Sequence, residues 1–400
     1  MSSATQQSKE ISLLKTFING INALSGIGII STPYALSEGG WLSLILLLLI
    51  AASAYFTGLL LRRCMDADPQ ITSYPDIAGS AFGRKGRIVA SIFICLELYF
   101  VATELLIMEG DNLHKLSPNF ALKLGQLRVE GKHSFVIIAG LTILPSMWLS
   151  DLGMLSYISA GGALSSLIII ISVLCVGAST SVGFHGKGRL INLQGMPTAL
   201  SLYTFCYGAH GIFPTIYNSM KNKSQFPKVL CLSYITSTIA YVSMAILGYL
   251  MFGKDVQSQV TLNLPTENIS SKIAIYTTLV GPLAKYALTV MPIVTAIESR
   301  LPVEYQKRRP VSLLIRTLLL FSTVVLAVVF PFFGYLMAFI GAVLIVVVSF
   351  LLPCTCYLKI TGAYRNWGYE TVGIVGIMSM ATLVGVVGTY SSVVQTVRTV

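Results

Sequence analysis

Two long stretches of this chain, Trp41 to Leu61 and Leu155 to Phe184, contain no charged residue. A helix crosses a hydrocarbon core of about 30 Å with about 20 predominantly apolar residues, and lipid offers no partner to an unpaired backbone group. Such runs confine the chain to an all-α polytopic membrane protein. Composition agrees, with 54% hydrophobic and 11% charged residues, where soluble domains carry roughly a quarter charged.

Hydropathy gives about eleven candidate transmembrane spans, at about 12–38, 41–61, 87–109, 133–149, 154–180, 197–219, 228–252, 272–297, 311–330, 334–358 and 369–396. The loops between them are too short to fold alone, so one integral domain is expected over 1–400. The net charge of +11 comes from short basic clusters between apolar segments, such as Arg84 to Arg87 and Lys307 to Arg309. That arrangement sets topology against a lipid bilayer and does not describe a nucleic-acid groove. With a cytosolic N-terminus, 17 of the 27 basic residues fall on that side, nine on the other, and Lys285 lies inside a span. The C-terminus is then on the far, lumenal side, as is the sequon Asn268-Ile269-Ser270. No cleavable signal is apparent in the polar first ten residues. The segment ITSYPDIAGSAFGRKGR is too polar to cross and reads as an amphipathic piece along the cytosolic surface. Six of the seven cysteines lie in apolar segments and read as buried thiols.

Two spans carry poor helix formers at mid-depth. The first contains NALSGIGIISTPYA with Gly26, Gly28 and Pro33, and the sixth contains YTFCYGAHGIFPTIY with Gly208, Gly211 and Pro214. Each opens a group of five spans, giving repeats at about 12–180 and 197–358 with an extra span at 369–396. Matched interruptions in two halves point to a transporter site, and an odd number of spans per half inverts the second. Unwinding frees backbone groups that must face protein or a water-filled cavity. Freed N–H groups at a half-helix start suit a carboxylate, and freed carbonyls suit an ammonium or a cation. Together these describe an amino-acid zwitterion. Pro33 is expected to keep the outer half-helix from rejoining. GIGIIS follows no strand and lacks a third glycine, so a dinucleotide loop is set aside.

Ionisable residues within spans are costly and are functional candidates. Glu97, Glu104 and Asp111 are seven apart and share one helical face, with Asp111 at the far-side mouth. Lys285 lies mid-span between Pro282 and Pro292, and reads as a proton carrier, a cation substitute, or half of an ion pair with Glu97 or Glu104. His210 sits in the second break, either titrating or bonding freed carbonyls. Tyr99 is about 160° around the helix from Glu97, so both cannot face one substrate. Tyr203 and Tyr207 either line the site or pack.

INALSGIGIISTPYAL, YPDIAGSAFGRKGR, LELYFVATELLIMEGDNLHKLSP, YGAHGIFPTIYNSM and GPLAKYALTVMPI together resemble the amino acid/auxin permease (AAAP) family, and within it the plant vacuolar, AVT1-like group. The resemblance extends over nearly the whole chain. It implies a LeuT/APC-like fold of five-plus-five inverted repeats and proton-coupled transport of neutral amino acids at a vacuolar membrane (alternatively the plasma membrane). It marks Ala23, Leu24, Ser25, Gly26, Ile27 and Gly28 in span one as substrate-binding positions. In span six it marks Cys206, Tyr207, Gly208, Ala209, His210 and Gly211, with Tyr99 in span three closing over substrate. Lys285 falls where sodium-driven relatives hold a cation. Neither a cofactor nor a metal is implied, and HExxH, GxGD and GxSxG are missing from the spans, so an enzyme is not expected. A non-transporting amino-acid sensor of the same fold is the alternative.

Overall fold

The apolar segments close their hydrogen bonds internally as helices, as lipid requires. The computed structural model describes residues 12–124, 127–148, 155–179, 182–186, 188–306, 308–365 and 368–399. Span one comprises α1 (Leu13–Leu24) and α2 (Gly28–Gly39), bent by 47° at their junction. α3 (Ser43–Ala67) and α4 (Tyr74–Leu116) follow, then β1 (Ala121–Leu124) and β2 (Leu127–Glu130), then α5 (Lys132–Trp148) and α6 (Leu155–Gly177). The second half begins with α7 (Met196–Cys206) and α8 (Phe213–Ser219), and continues with α9 (Phe226–Phe252) and α10 (Ile269–Glu298). A short α11 (Val303–Gln306) leads into α12 (Arg309–Val329). α13 (Phe333–Phe339), a π-helical stretch Ile340–Leu351 and α14 (Leu352–Thr361) form one continuous span, and α15 (Tyr369–Thr399) ends the chain.

Seven continuous helices among the described residues are long and apolar enough to cross a membrane, and the bent α1–α2 pair makes an eighth. The remaining three expected positions are filled by α5, by α6 and by the α7–α8 pair, whose halves are short because the helix is interrupted.

Three local features differ from expectation. β1 and β2 pair antiparallel, Ala121 opposite Glu130, in the loop after α4; the segment is too short and too polar to produce a strong pattern in the sequence. α4 begins at Tyr74 rather than near residue 87, so the amphipathic piece is its first helical part. At Gly83 the backbone turns at φ 67°, ψ −157°, a conformation L side chains avoid, and the helix changes direction there. Asp76 anchors the start of this piece, accepting from the Ser73 amide at 2.9 Å and hydroxyl at 2.7 Å. Arg87, beyond the turn, pairs with Asp76 at 3.0 Å and braces the bend. The π-helical stretch is the third difference. Its Gly341 lies so close to α7 that a Cβ there would be 2.0 Å from the Ser201 carbonyl oxygen.

That approach is testable. Gly341→Ala should destabilise the bundle by roughly 1–3 kcal/mol, the usual cost of overpacking, read as a lower midpoint of thermal unfolding in detergent. An unchanged midpoint would show that α7 and the π-helical stretch do not meet there.

Candidate functional site

The first break is made by Ser25, whose ψ of 75° ends α1. The Ser25 amide donates to Ile21 O at 2.6 Å and the Gly26 amide to Leu24 O at 2.8 Å. α2 restarts at Gly28 with no side-chain cap on its first turn, so its leading N–H groups point at the break. The second break runs through Tyr207, Gly208 and Ala209, then a 3₁₀ turn at His210–Ile212 before α8. Pro214 lies in the first turn of α8, where a missing N–H costs little. Pro33 does not sit at the first break. It lies within α2, packed on Gly248, where a Cβ would be 2.6 Å from its ring. Its ring displaces an amide from Ile29 O, and the Thr32 hydroxyl donates to that carbonyl at 3.0 Å. The separation of α1 from α2 therefore comes from the Ser25–Ile27 backbone, not from this proline.

The two breaks touch. A Cβ on Gly28 would lie 2.9 Å from Cys206 Sγ and 3.2 Å from Cys206 Cα. α9 joins them through one polar face. Ser237 Oγ lies 3.5 Å from Ser25 Oγ, and Thr238 Oγ1 lies 2.9 Å from the Tyr207 hydroxyl. The Tyr241 hydroxyl donates toward Leu24 O, and toward Cys206 O at 2.9 Å. These two carbonyls end α1 and α7. One turn earlier, Ser233 packs on Gly20, where a Cβ would be 2.5 Å from its Oγ. Sequence reasoning missed this face. The signal was there: Ser233, Ser237 and Tyr241 recur every four residues, the spacing that aligns side chains along a helix.

The nominated residues separate into groups. Ser25, Gly26 and Ile27 line a cavity of about 50 Å³ with Leu105, Met108 and Lys285. That volume admits a few waters but no amino acid. Lys285 Nζ donates to Ser25 O at 3.3 Å, and its stem passes Gly162, whose Cβ would be 3.4 Å away. Among the described residues it makes no ion pair with Glu97 or Glu104. Both glutamates are buried, and Glu97 Oε2 and both Glu104 oxygens have no hydrogen-bond partner there. Asp111, at the end of their stripe, pairs with Lys132 at 3.7 Å and accepts from Gln259 Nε2 at 2.9 Å. It borders an open basin of about 560 Å³ beside the hairpin.

None of the sixth-span residues lines the small cavity. His210 is fully buried, with Nε2 at 3.0 Å from Ala54 O and 2.9 Å from Thr57 Oγ1. The carbonyl that Nε2 meets belongs to α3. Tyr203 is bonded to Ser43 Oγ at 2.9 Å, and Tyr207 stacks on Tyr234 with centroids 5.8 Å apart. Gly208 abuts Ile345, and Gly211 has open space beside it to about 4 Å. Ala23 packs at the rim of the core, Leu24 and Ala209 within it. Tyr99 lies edge-on to Phe100, with centroids 5.8 Å apart, and does not line the cavity.

Two interrupted spans meeting at mid-bundle, in a chain of membrane-crossing helices, define a polytopic transporter rather than a soluble or enzymatic protein. Residues 9–397 match the family described as transmembrane amino acid transporter protein, and the chain belongs to it. Amino acid transporter AVT1I of Arabidopsis thaliana is 53% identical over 95% of this chain and 94% of its own. AVT1J of the same plant is 50% identical, over 96% and 90%. A vesicular GABA transporter of Caenorhabditis elegans is 26% identical, over 99% and 82%. Among solved structures, a Na⁺-coupled sialic acid symporter in a substrate-bound, outward-open state shares the fold. Its TM-score is 0.54 at 13% identity, covering 95% of this chain and 88% of that one. The chain is accordingly a membrane-embedded amino acid transporter of the AVT1-like group in the amino acid/auxin permease family.

The contact between the breaks carries a prediction. In Gly28→Ala the new methyl meets the Cys206 backbone, which cannot swing aside. A strain of roughly 1–3 kcal/mol in this state should slow uptake into reconstituted vesicles about tenfold or more, at matched protein level. Uptake equal to the unaltered protein would show that the breaks need not touch.

Proposed function

We propose that this chain moves neutral amino acids across the vacuolar membrane, driven by the proton gradient, by alternating access at the two breaks. One observation carries the reading: the carbonyl ends of α1 and α7 converge beside the uncapped start of α2. A carboxylate is stabilised by the exposed N–H groups and positive end of α2. An ammonium fits the carbonyls of Leu24 and Cys206. A zwitterion spans both. The small cavity is too narrow for it, so the breaks part to admit substrate and close again to carry it.

Lys285 supplies the coupling. Its ammonium holds Ser25 O, at the break itself, and no carboxylate neutralises it among the described residues. A charge held so closely to the site links proton occupancy to the shape of the first break. The resemblance to sodium-driven transporters supports the same role, with lysine replacing the metal ion. The chain works as one integral domain in this reading, with repeats at about 12–180 and 197–358 and an extra span at about 369–396. The basic-residue excess supports a cytosolic N-terminus and a lumenal C-terminus. The similarity to a transporter named for GABA supports a small amino acid as cargo.

Uptake of labelled neutral amino acids into reconstituted vesicles should rise when a pH gradient is imposed. No uptake under any gradient, with binding retained, would instead identify a sensor. Lys285→Ala should keep exchange of amino acid across the vesicle membrane while losing its dependence on the pH gradient. Coupling that survives the substitution removes Lys285 from the mechanism.

A further inference from the structure

Tyr241 is fully buried, its ring edge-on to Tyr207 with centroids 5.5 Å apart. Its hydroxyl faces two carbonyls that end different half-helices, Leu24 O and Cys206 O. A phenol has one proton to donate, and two acceptors share it here. Leu24 O also accepts from the Gly26 amide at 2.8 Å. Cys206 O has no other donor among the described residues. The pair is thus satisfied only in part, at a place from which lipid and bulk water are excluded. An ammonium group carries three N–H donors and can satisfy both carbonyls at once.

We propose that the Tyr241 hydroxyl is a resident stand-in for the substrate's ammonium group, displaced when an amino acid binds. The inference rests on the amino-acid reading above and adds a specificity-determining residue to it. With the site empty, the hydroxyl keeps the freed carbonyls from being orphaned and holds α1 against α7. An arriving ammonium takes both carbonyls and releases the hydroxyl, so loading the site and loosening this tie are one event. A solute without N–H donors cannot make the exchange, because it would leave Cys206 O bare in the interior and Leu24 O with the Gly26 amide alone, and an unpaired buried carbonyl is penalised. Tyr241 therefore selects for an ammonium that carries N–H donors before any side-chain pocket is consulted.

Tyr241→Phe keeps the ring and its contact with Tyr207 but removes the competitor. Its half-saturation concentration for a neutral amino acid should fall roughly three- to tenfold, the worth of about one exchanged hydrogen bond. The N-trimethyl analogue of that amino acid, which has no N–H, should gain nothing. A half-saturation concentration that is unchanged or raised overturns the proposal and makes the hydroxyl a brace retained in the loaded state. A second measurement leaves the fold untouched: with 3-fluorotyrosine incorporated in place of Tyr241, the fluorine resonance should move when the amino acid is added and stay when the trimethyl analogue is added. A resonance indifferent to the amino acid also overturns it. Uptake by the unaltered protein in the same vesicles separates either failure from failure of the transport reading.

Discussion

A backbone carbonyl in a membrane must be bonded, and this fold deliberately frees several at mid-depth. The bundle is arranged around that demand. α1 stops at Leu24 and α7 at Cys206, and neither end is left to lipid: each meets the Tyr241 hydroxyl on α9, while Ser25 O is held by Lys285 on α10. A polar face on α9, unusual in a helix so apolar, exists because the breaks have to be answered from a neighbour. Gly28 follows from the same requirement, since a side chain there would force Cys206 and the second break away.

Charge is distributed unevenly around this centre. Lys285 sits at the first break, whereas the buried carboxyls Glu97 and Glu104 lie along another face of α4 and share no ion pair with it among the described residues. Asp111 ends their file at the open basin, tied to Lys132 and Gln259. Burying a carboxyl without a partner is unfavourable unless it is neutral. The file thus stands apart from the lysine at the break, and the seven-residue spacing that aligns it was readable directly from the chain.

The legible features were those with a local physical cause. Helix in lipid follows from apolar length, so the spans stand close to where hydropathy places them. Glycines paired at matching depth in spans one and six marked both interruptions, because poor helix formers act on their own segment. Features that need a partner were hidden. Pro33 resembles a helix breaker in sequence, yet Thr32 bonds the carbonyl it frees and the helix continues through it. His210 lies in the break by sequence, but its ring turns to Ala54 and Thr57 of α3. Tyr99 and the span-six residues also stand apart from the small cavity beside Lys285.

By itself, then, the sequence determined that the chain lies in a membrane as helices, where two of them open, and which ionisable residues sit in lipid at all. These are properties of single segments, governed by backbone hydrogen bonding and transfer from water. Tertiary structure alone decided that the two openings touch at Gly28 and Cys206, that Lys285 binds Ser25 O rather than a glutamate, and that Tyr241 faces both freed carbonyls. Each of those depends on which helix faces which, at what depth and rotation, and no residue carries that information except through the packing of all the others.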